Sequence, residues 1–104
     1  MNSIIIEVQA IPARRHELLQ TLHDLASLKH RERGFIDARI RMDAENQNKM
    51  IVIEEWETQE TLMAYMESEL FQILRGALKL LTSYSEISFN PGEKHAQKHK
   101  TLSR

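Results

Sequence analysis

The apolar residues of this chain follow two different spacings in a fixed order, and that order most constrains the fold. Four segments place apolar side chains at every second position, as half-buried strands do: residues 4–10, 35–42, 49–57 and 84–89. Residues 13–31 and 60–81 place them three or four positions apart, as amphipathic helices do. The predicted order of elements is therefore β-α-β-β-α-β.

Residues at the segment boundaries agree with this order. Pro12 suits the first turn of a helix, and Gly34 suits the end of one. Thr58 is a good N-cap for the helix that follows the third strand. Ser68 can cap a second helical piece, so residues 59–81 form either one kinked helix or two. The sequence leaves that choice open.

The predicted architecture is an α+β, ferredoxin-like fold with a four-stranded antiparallel sheet and both helical segments on one face. Ile5, Ile51 and Ile53 fall on the sheet face opposite to Val52 and Trp56. Since apolar residues occupy both faces, we expect a second copy of the sheet to cover the one without helices. The prediction is a homodimer; a lone domain with water on that face is the alternative.

Composition narrows the possible function classes. The chain has 104 residues, which fits one domain at residues 1–90, followed by a polar tail at residues 91–104 that we expect to be flexible. Its net charge of -1 does not favour a nucleic-acid or membrane partner. It contains no cysteine, and no apolar run long enough for a signal peptide or a membrane span. We therefore expect a cytoplasmic protein.

Three segments resemble a known family. In chain order they are Glu32–Phe35, Glu54–Thr58 and Ser68–Gln72. Together they are similar to the E-x-G, E-x-W-x-[ST] and S-x-x-F pattern of the antibiotic biosynthesis monooxygenase (ABM) family, over about residues 3–90. The resemblance implies a dimeric α+β barrel, in which two sheets face each other with helices outside. It also implies a cofactor-independent monooxygenase that uses neither metal nor flavin and acts on a small phenol or quinol.

Two departures from the family pattern bear on its chemistry. Many quinol-oxidising members have histidines where this chain has Tyr65 and Leu70. Haem-degrading members have an iron-ligating histidine shortly after the phenylalanine, where this chain has Gln72–Arg75. The resemblance therefore does not extend to haem binding, and a non-catalytic dimeric module that binds a ligand or supports an assembly is the alternative function.

The predicted catalytic residues are Glu54, Tyr65 and Arg39. Glu54 shares a strand face with Val52, where burial would raise the pKa of its carboxyl and suit it to act as a base; alternatively it is a structural carboxylate that is paired with Arg39 or caps nearby backbone. Tyr65 either donates to a phenolate or relays a proton, or it is a helix residue with a solvated hydroxyl. Arg39 either stabilises an oxyanion, or is solvated or salt-bridged at the dimer contact.

The predicted substrate-binding residues form an aromatic and thioether wall: Trp56, Met50, Met63, Met66 and Phe71. Ordinary core packing explains the same residues equally well. The histidines at 16, 23 and 30 are seven residues apart on one helix, so neighbours lie about 10 Å apart and cannot share one ion. No metal site is predicted.

Overall fold

The computed structural model describes residues 2–91 and 97–101 of the 104-residue chain. Its strands are β1 (Asn2–Ala10), β2 (Phe35–Met42), β3 (Lys49–Trp56), β4 (Thr82–Pro91) and β5 (Gln97–Thr101). Its helices are α1 (Arg15–Leu28), α2 (Gln59–Met66) and α3 (Glu69–Leu81), and short 3-10 turns at Pro12–Arg14 and Lys29–Arg31 flank α1. The predicted order of elements is confirmed for β1 to β4.

The strands form one antiparallel sheet in the order β2-β3-β1-β4-β5. β1 lies in the middle, so Ile4 has Glu54 of β3 on one side and Phe89 of β4 on the other. With the helices in the two crossovers, β1 to β4 have the topology of the ferredoxin-like fold. The predicted α+β fold class is confirmed.

The fifth strand was not predicted. β5 pairs with the edge strand β4 from Ser85↔Thr101 to Phe89↔Gln97. Residues 97–101 show no alternation of apolar residues in the sequence, so the strand spacing could not predict β5. Residues 92–96 and 102–104 of the predicted tail lie outside the described residues. The domain boundary at residue 90 stays a prediction.

One face of the sheet packs against the helices, because alternate residues of each strand point the same way. The buried hydrophobic residues are Ile4, Ile6, Val8, Ala10, Leu18, Leu22, Leu25, Met50, Val52, Trp56, Leu62, Tyr65, Phe71, Leu74, Leu78, Leu81, Ile87 and Phe89. Strands and helices both contribute to this cluster, so it is a single core between two layers.

The opposite sheet face has no helix on it among the described residues. Ile5, Ile51 and Ile53 lie there, and each is only half-buried. Ile5 of β1 is directly opposite Ile53 of β3, so their side chains form one apolar pair across the strands. This face therefore has apolar residues that are partly exposed to solvent.

A β-bulge near the start of β2 determines which residues face the helices. Simple alternation would place Ile36 beside Ala38 on the core face. Instead the pairing shifts between Phe35 and Asp37, and Ile36 is 48% exposed. The extra residue lets Phe35 lie opposite Trp56 on the core face.

The segment after β3 forms two helices, which settles the choice that the sequence left open. At Ser68 the backbone is extended (φ -82°, ψ 162°), so α2 cannot continue through it. The Ser68 hydroxyl donates to the Tyr65 carbonyl and accepts from the Phe71 N–H, so it caps α3. Thr58 caps α2 in the same way through the Thr61 N–H, as predicted. Within the described residues, no helix has the length and apolar composition needed to cross a membrane.

Candidate functional site

A buried ion pair joins α1 to the sheet. The Lys29 ammonium donates a hydrogen bond to the Glu54 carboxylate, and the two residues are 2% and 0% exposed. Lys29 follows α1 in its 3-10 turn and continues the buried stripe of Leu18, Leu22 and Leu25. Glu54 lies on the core face of β3, where its neighbours are Ile4 and Ala38. Burial of both charges is costly, so each depends on the other.

Aromatic side chains surround this pair. The rings of Trp56 and Tyr65 are stacked, with centroids 4.6 Å apart. Phe35 packs edge-on against Trp56 at 5.4 Å, and Phe71 packs edge-on against Tyr65 at 5.3 Å. The Lys29 ammonium lies 5.8 Å from the centre of the Tyr65 ring, within reach of a cation–π attraction. The pair therefore sits in an apolar, water-excluding environment.

Three buried polar atoms beside the pair make no hydrogen bond. They are Oε1 of Glu54, Nε1 of Trp56 and the hydroxyl of Tyr65. An unpaired buried polar group costs about 1–3 kcal/mol, so folded proteins rarely retain several of them together. A carboxylate acceptor, an indole donor and a phenol thus lie unpaired around one ion pair. Such an arrangement suits binding of a small polar ligand.

Burial and charge shift the pKa values of two of these groups. Burial raises the pKa of the Glu54 carboxyl, although the charge and hydrogen bond of Lys29 and the nearby indole N–H of Trp56 act in the opposite direction. Burial also raises the pKa of the Tyr65 hydroxyl, and the negative charges of Glu54 and Glu32 raise it further. Glu54 therefore has the character of a stronger base than an exposed glutamate, while Tyr65 retains its proton.

A surface groove reaches Tyr65 from outside, and we call it the Tyr65 groove. It has a volume of about 260 Å³ and is lined by Glu32, Arg33, Glu60, Thr61, Ala64 and Tyr65. Gly34 allows the turn before β2 to approach α2 this closely: its φ is +84°, and a Cβ there would overlap the Thr61 side chain. Neither Glu54 nor Trp56 lines this groove, and neither lines the grooves beside Met50 and beside Leu70.

The predicted site residues fall into two groups. Glu54, Trp56, Tyr65 and Phe71 come together around the ion pair. Met66 packs against the edge of the core on the same helix as Tyr65. These residues form one cluster, and their assigned roles stay predictions.

The remaining predicted residues lie elsewhere. Arg39 is on the helix-free sheet face, where its Nε donates to Asp37 at 3.2 Å and its side chain is 54% exposed. Met50 is buried at the other end of β3 and lines a separate groove of about 540 Å³. Met63 is 49% exposed on the outer side of α2. Tertiary structure does not bring these three to the ion pair.

Two sequence-based alternatives are wrong. The expected structural partner of Glu54 was Arg39, but the partner is Lys29, because Arg39 lies on the opposite sheet face. The hydroxyl of Tyr65 is buried rather than solvated. Lys29 itself was missed, although a signal existed: it continues the spacing of Leu18, Leu22 and Leu25, which places a lysine in an otherwise apolar stripe.

The described residues offer no cluster of three histidine or acidic side chains that could hold a metal ion. What the site does contain is a carboxylate with a raised pKa, a buried ammonium and two unpaired donors. These groups can accept a proton from a ligand hydroxyl and stabilise the anion that results.

Several solved structures share the fold of this chain at low sequence identity. SnoaB, a cofactor-independent oxygenase from Streptomyces nogalater, is 16% identical with a TM-score of 0.78, covering 90% of this chain and 94% of that one. A Pseudomonas aeruginosa protein is 18% identical with a TM-score of 0.71 (97% and 93% covered). A conserved protein from Methanosarcina mazei is 17% identical with a TM-score of 0.72 (99% and 92% covered).

Sequence comparison identifies the family. No curated protein matches the chain. The family model described as "Antibiotic biosynthesis monooxygenase" matches residues 1–75, which include β1 to β3, α2 and the Lys29–Glu54 pair. That match spans well over half of the 104 residues. The chain therefore belongs to the antibiotic biosynthesis monooxygenase family.

Proposed function

We propose that this chain is a cofactor-independent monooxygenase that oxidises a small phenol or quinol. One observation carries the proposal: the Lys29–Glu54 pair lies among unpaired donors in an aromatic cluster that excludes water. Family membership supports it, and so does the likeness in fold to SnoaB, which is itself described as a cofactor-independent oxygenase. The phenol or quinol substrate is what the family resemblance implies, and the chemistry of the site is compatible with it.

The proposed reaction needs no external reductant. A phenol and dioxygen give a para-quinone and water: one oxygen atom forms the new carbonyl, the other leaves as water, and the ring supplies all four electrons. The protein has to remove the phenolic proton and stabilise the phenolate, because only the anion readily transfers an electron to dioxygen. A base, an electrostatic stabiliser and exclusion of water suffice for this.

Each group of the cluster has a place in this scheme. Glu54 accepts the phenolic proton, since burial raises the pKa of its carboxyl. The Lys29 ammonium, already beside that carboxylate, stabilises negative charge on the substrate oxygen and on the reduced dioxygen. The Tyr65 hydroxyl, which has no hydrogen-bond partner, donates to the same oxygen, and the Trp56 N–H lies close enough to the Glu54 carboxylate to stabilise its charge. Phe71 and Met66 complete the apolar wall.

Oxygen consumption tests this proposal. Protein treated with a chelator and free of flavin would be supplied with a panel of phenols that have a free para position, in air and under nitrogen, with quinone formation followed by absorbance. We expect oxygen-dependent turnover that falls about 100-fold in Glu54→Gln. Glu55→Gln is the matched control, because Glu55 is the next residue on β3 and faces the opposite side of the sheet. Failure of a well-folded protein to oxidise any of the substrates would contradict the proposal.

The second candidate is a non-catalytic module that binds a ligand or supports an assembly. It is favoured by the close packing of the site, since Trp56, Tyr65 and Phe71 are at most 3% exposed and fill the space between helices and sheet. A protein that binds phenols tightly but consumes no oxygen would support this candidate over the first.

We also propose that the working unit is a homodimer that joins two helix-free sheet faces. Ile5, Ile51 and Ile53 support it, because a half-buried apolar strip on a sheet is stabilised by a second layer. Two sheets packed in this way would form the dimeric α+β barrel that the sequence resemblance implies.

A further inference from the structure

One side chain, that of Tyr65, belongs both to the Tyr65 groove and to the aromatic cluster around the buried ion pair. Tyr65 is 1% exposed, lines the groove, and belongs to the cluster around Glu54. Its hydroxyl has no hydrogen-bond partner. A buried, unpaired hydroxyl on a side chain that lines a groove is a ready partner for a ligand hydroxyl, because that contact would remove the cost of leaving it unsatisfied.

The hydroxyl lies under the influence of both regions. The charges of buried Glu54 and of Glu32 on the groove wall both raise the pKa of Tyr65. Both carboxylates therefore act on the Tyr65 hydroxyl: Glu54 belongs to the ion pair, and Glu32 belongs to the groove wall. A ligand that reaches Tyr65 from the groove has come next to the ion pair.

The rim of the groove carries more negative than positive charge. Glu32 and Glu60 lie on it with a single basic residue, Arg33. Its volume of about 260 Å³ is just below the range of about 300–1,000 Å³ that holds drug-sized ligands, so it fits one aromatic ring. A carboxylated ring would place its anion against this rim, whereas an uncharged ring alcohol would not.

We propose that the Tyr65 groove admits uncharged, single-ring aromatic alcohols to the Lys29–Glu54 pair and discriminates against their carboxylated analogues. The inference rests on the proposed function for the identity of the site. It goes further in naming the route, the first hydrogen-bonding partner and the charge class of the substrate. Glu32 and Glu60 become specificity-determining residues, and Tyr65 becomes the contact between groove and site.

Binding can be measured without turnover. Isotope-labelled protein would be titrated with para-hydroxybenzyl alcohol and with para-hydroxybenzoate, which differ mainly in charge, and amide shifts would be followed by NMR. We expect the alcohol to shift the amides of Thr61, Ala64 and Tyr65 and to bind about fivefold more tightly than the carboxylate at low salt. High salt should reduce this preference, since it screens the rim charges.

Two comparisons between groove variants and control variants outside the groove test whether the groove is the binding site. Ala64→Phe should fill the groove and abolish binding, whereas Ala13→Phe, which replaces an exposed alanine in the 3-10 turn before α1, should not. Glu32→Gln with Glu60→Gln should remove the preference for the alcohol. Glu17→Gln with Glu45→Gln changes the net charge equally at exposed positions outside the groove and should leave the preference intact.

The outcomes separate this inference from the proposed function. Binding at the groove without oxygen consumption would uphold the inference and contradict the oxygenase. Oxygen consumption that Ala64→Phe leaves unchanged would uphold the oxygenase and overturn the inference. Equal affinity for alcohol and carboxylate, or shifts confined to the separate groove near Met50, would also overturn it.

Discussion

Lys29 and Glu54 form an ion pair between the end of the first helix and the middle of the sheet, with almost no exposure to water. They are 25 residues apart in sequence, so the pair exists only in the folded chain. It links the turn before β2 to the strand that carries Trp56, and the aromatic cluster is built around it.

Removing one partner of this pair should be far more costly than removing both. Lys29→Met leaves a buried, unpaired carboxylate, so we expect it to lower the free energy of unfolding by about 3 kcal/mol. Lys29→Met combined with Glu54→Leu should lie within about 1 kcal/mol of the wild type, because no charge remains buried. Urea unfolding of the two single variants and the double variant measures the coupling. An equally small loss in Lys29→Met and in the exposed control Lys79→Met would contradict this role for the pair.

Stability should depend on pH through Glu54. The folded state raises the pKa of this carboxyl above its ordinary value of 4.5, so it holds the proton more tightly than the unfolded chain does. The associated stability is fully present below pH 4.5 and is lost as the pH rises through the raised value. The free energy of unfolding of the wild type, measured with urea, should fall as the pH rises across this range. The Lys29→Met, Glu54→Leu double variant should not show this decrease. The same decrease in both proteins would exclude Glu54 as its source.

Tyr65→Phe should separate stability from function. The hydroxyl of Tyr65 has no partner, so its removal eliminates an unsatisfied buried group and keeps the ring stack with Trp56. We expect the free energy of unfolding to stay unchanged or to rise by up to about 1 kcal/mol, while phenol binding weakens. Urea unfolding and NMR titration measure the two effects. A loss of stability of more than about 1 kcal/mol would mean that the hydroxyl is already satisfied in the free protein.

The same substitution should have opposite effects at two glycines. Gly34→Ala should lower the free energy of unfolding by about 2 kcal/mol or more, because φ is +84° and the new Cβ would overlap Thr61. Gly34→Asn should be no milder, since asparagine tolerates this φ but not the overlap. Gly76→Ala, within α3 and with nothing near its Cβ position, should raise the free energy of unfolding by about 0.5–1 kcal/mol. Thermal unfolding of the three variants tests this, and a stabilised Gly34→Ala would refute the close packing at Thr61.

A charge on the helix-free face should weaken the proposed homodimer. Ile53→Lys places an ammonium opposite Ile5 in the strip that we expect to be covered. Sedimentation should show a dimer for the wild type and a shift toward monomer for the variant. Ile36→Lys is the control, because Ile36 is 48% exposed at the β2 bulge. A wild-type protein that sediments as a monomer at high concentration would contradict the dimer.

Local patterns determined most of the backbone. Ile4, Ile6 and Val8 are at every second position of β1 and are buried. A strand with one buried face shows this spacing of apolar residues in its sequence. Thr58 and Ser68 cap their helices through contacts only three residues away, so their roles could be predicted as well. The ABM-like segments added the family, whereas the roles that the sequence assigned to Glu54, Trp56 and Tyr65 stay predictions.

Only the tertiary structure decided which residues enter the aromatic cluster and which of them pair. The bulge at Ile36, the exclusion of Arg39 and Met63 from the cluster, and the choice of Lys29 as partner all depend on how distant elements meet. A strand pattern tells which face a residue occupies, but not which side chain of another element lies above it. Lys29 could reach Glu54 because the 3-10 turn after α1 packs beside this part of the sheet, a long-range packing outcome that residue spacing does not encode.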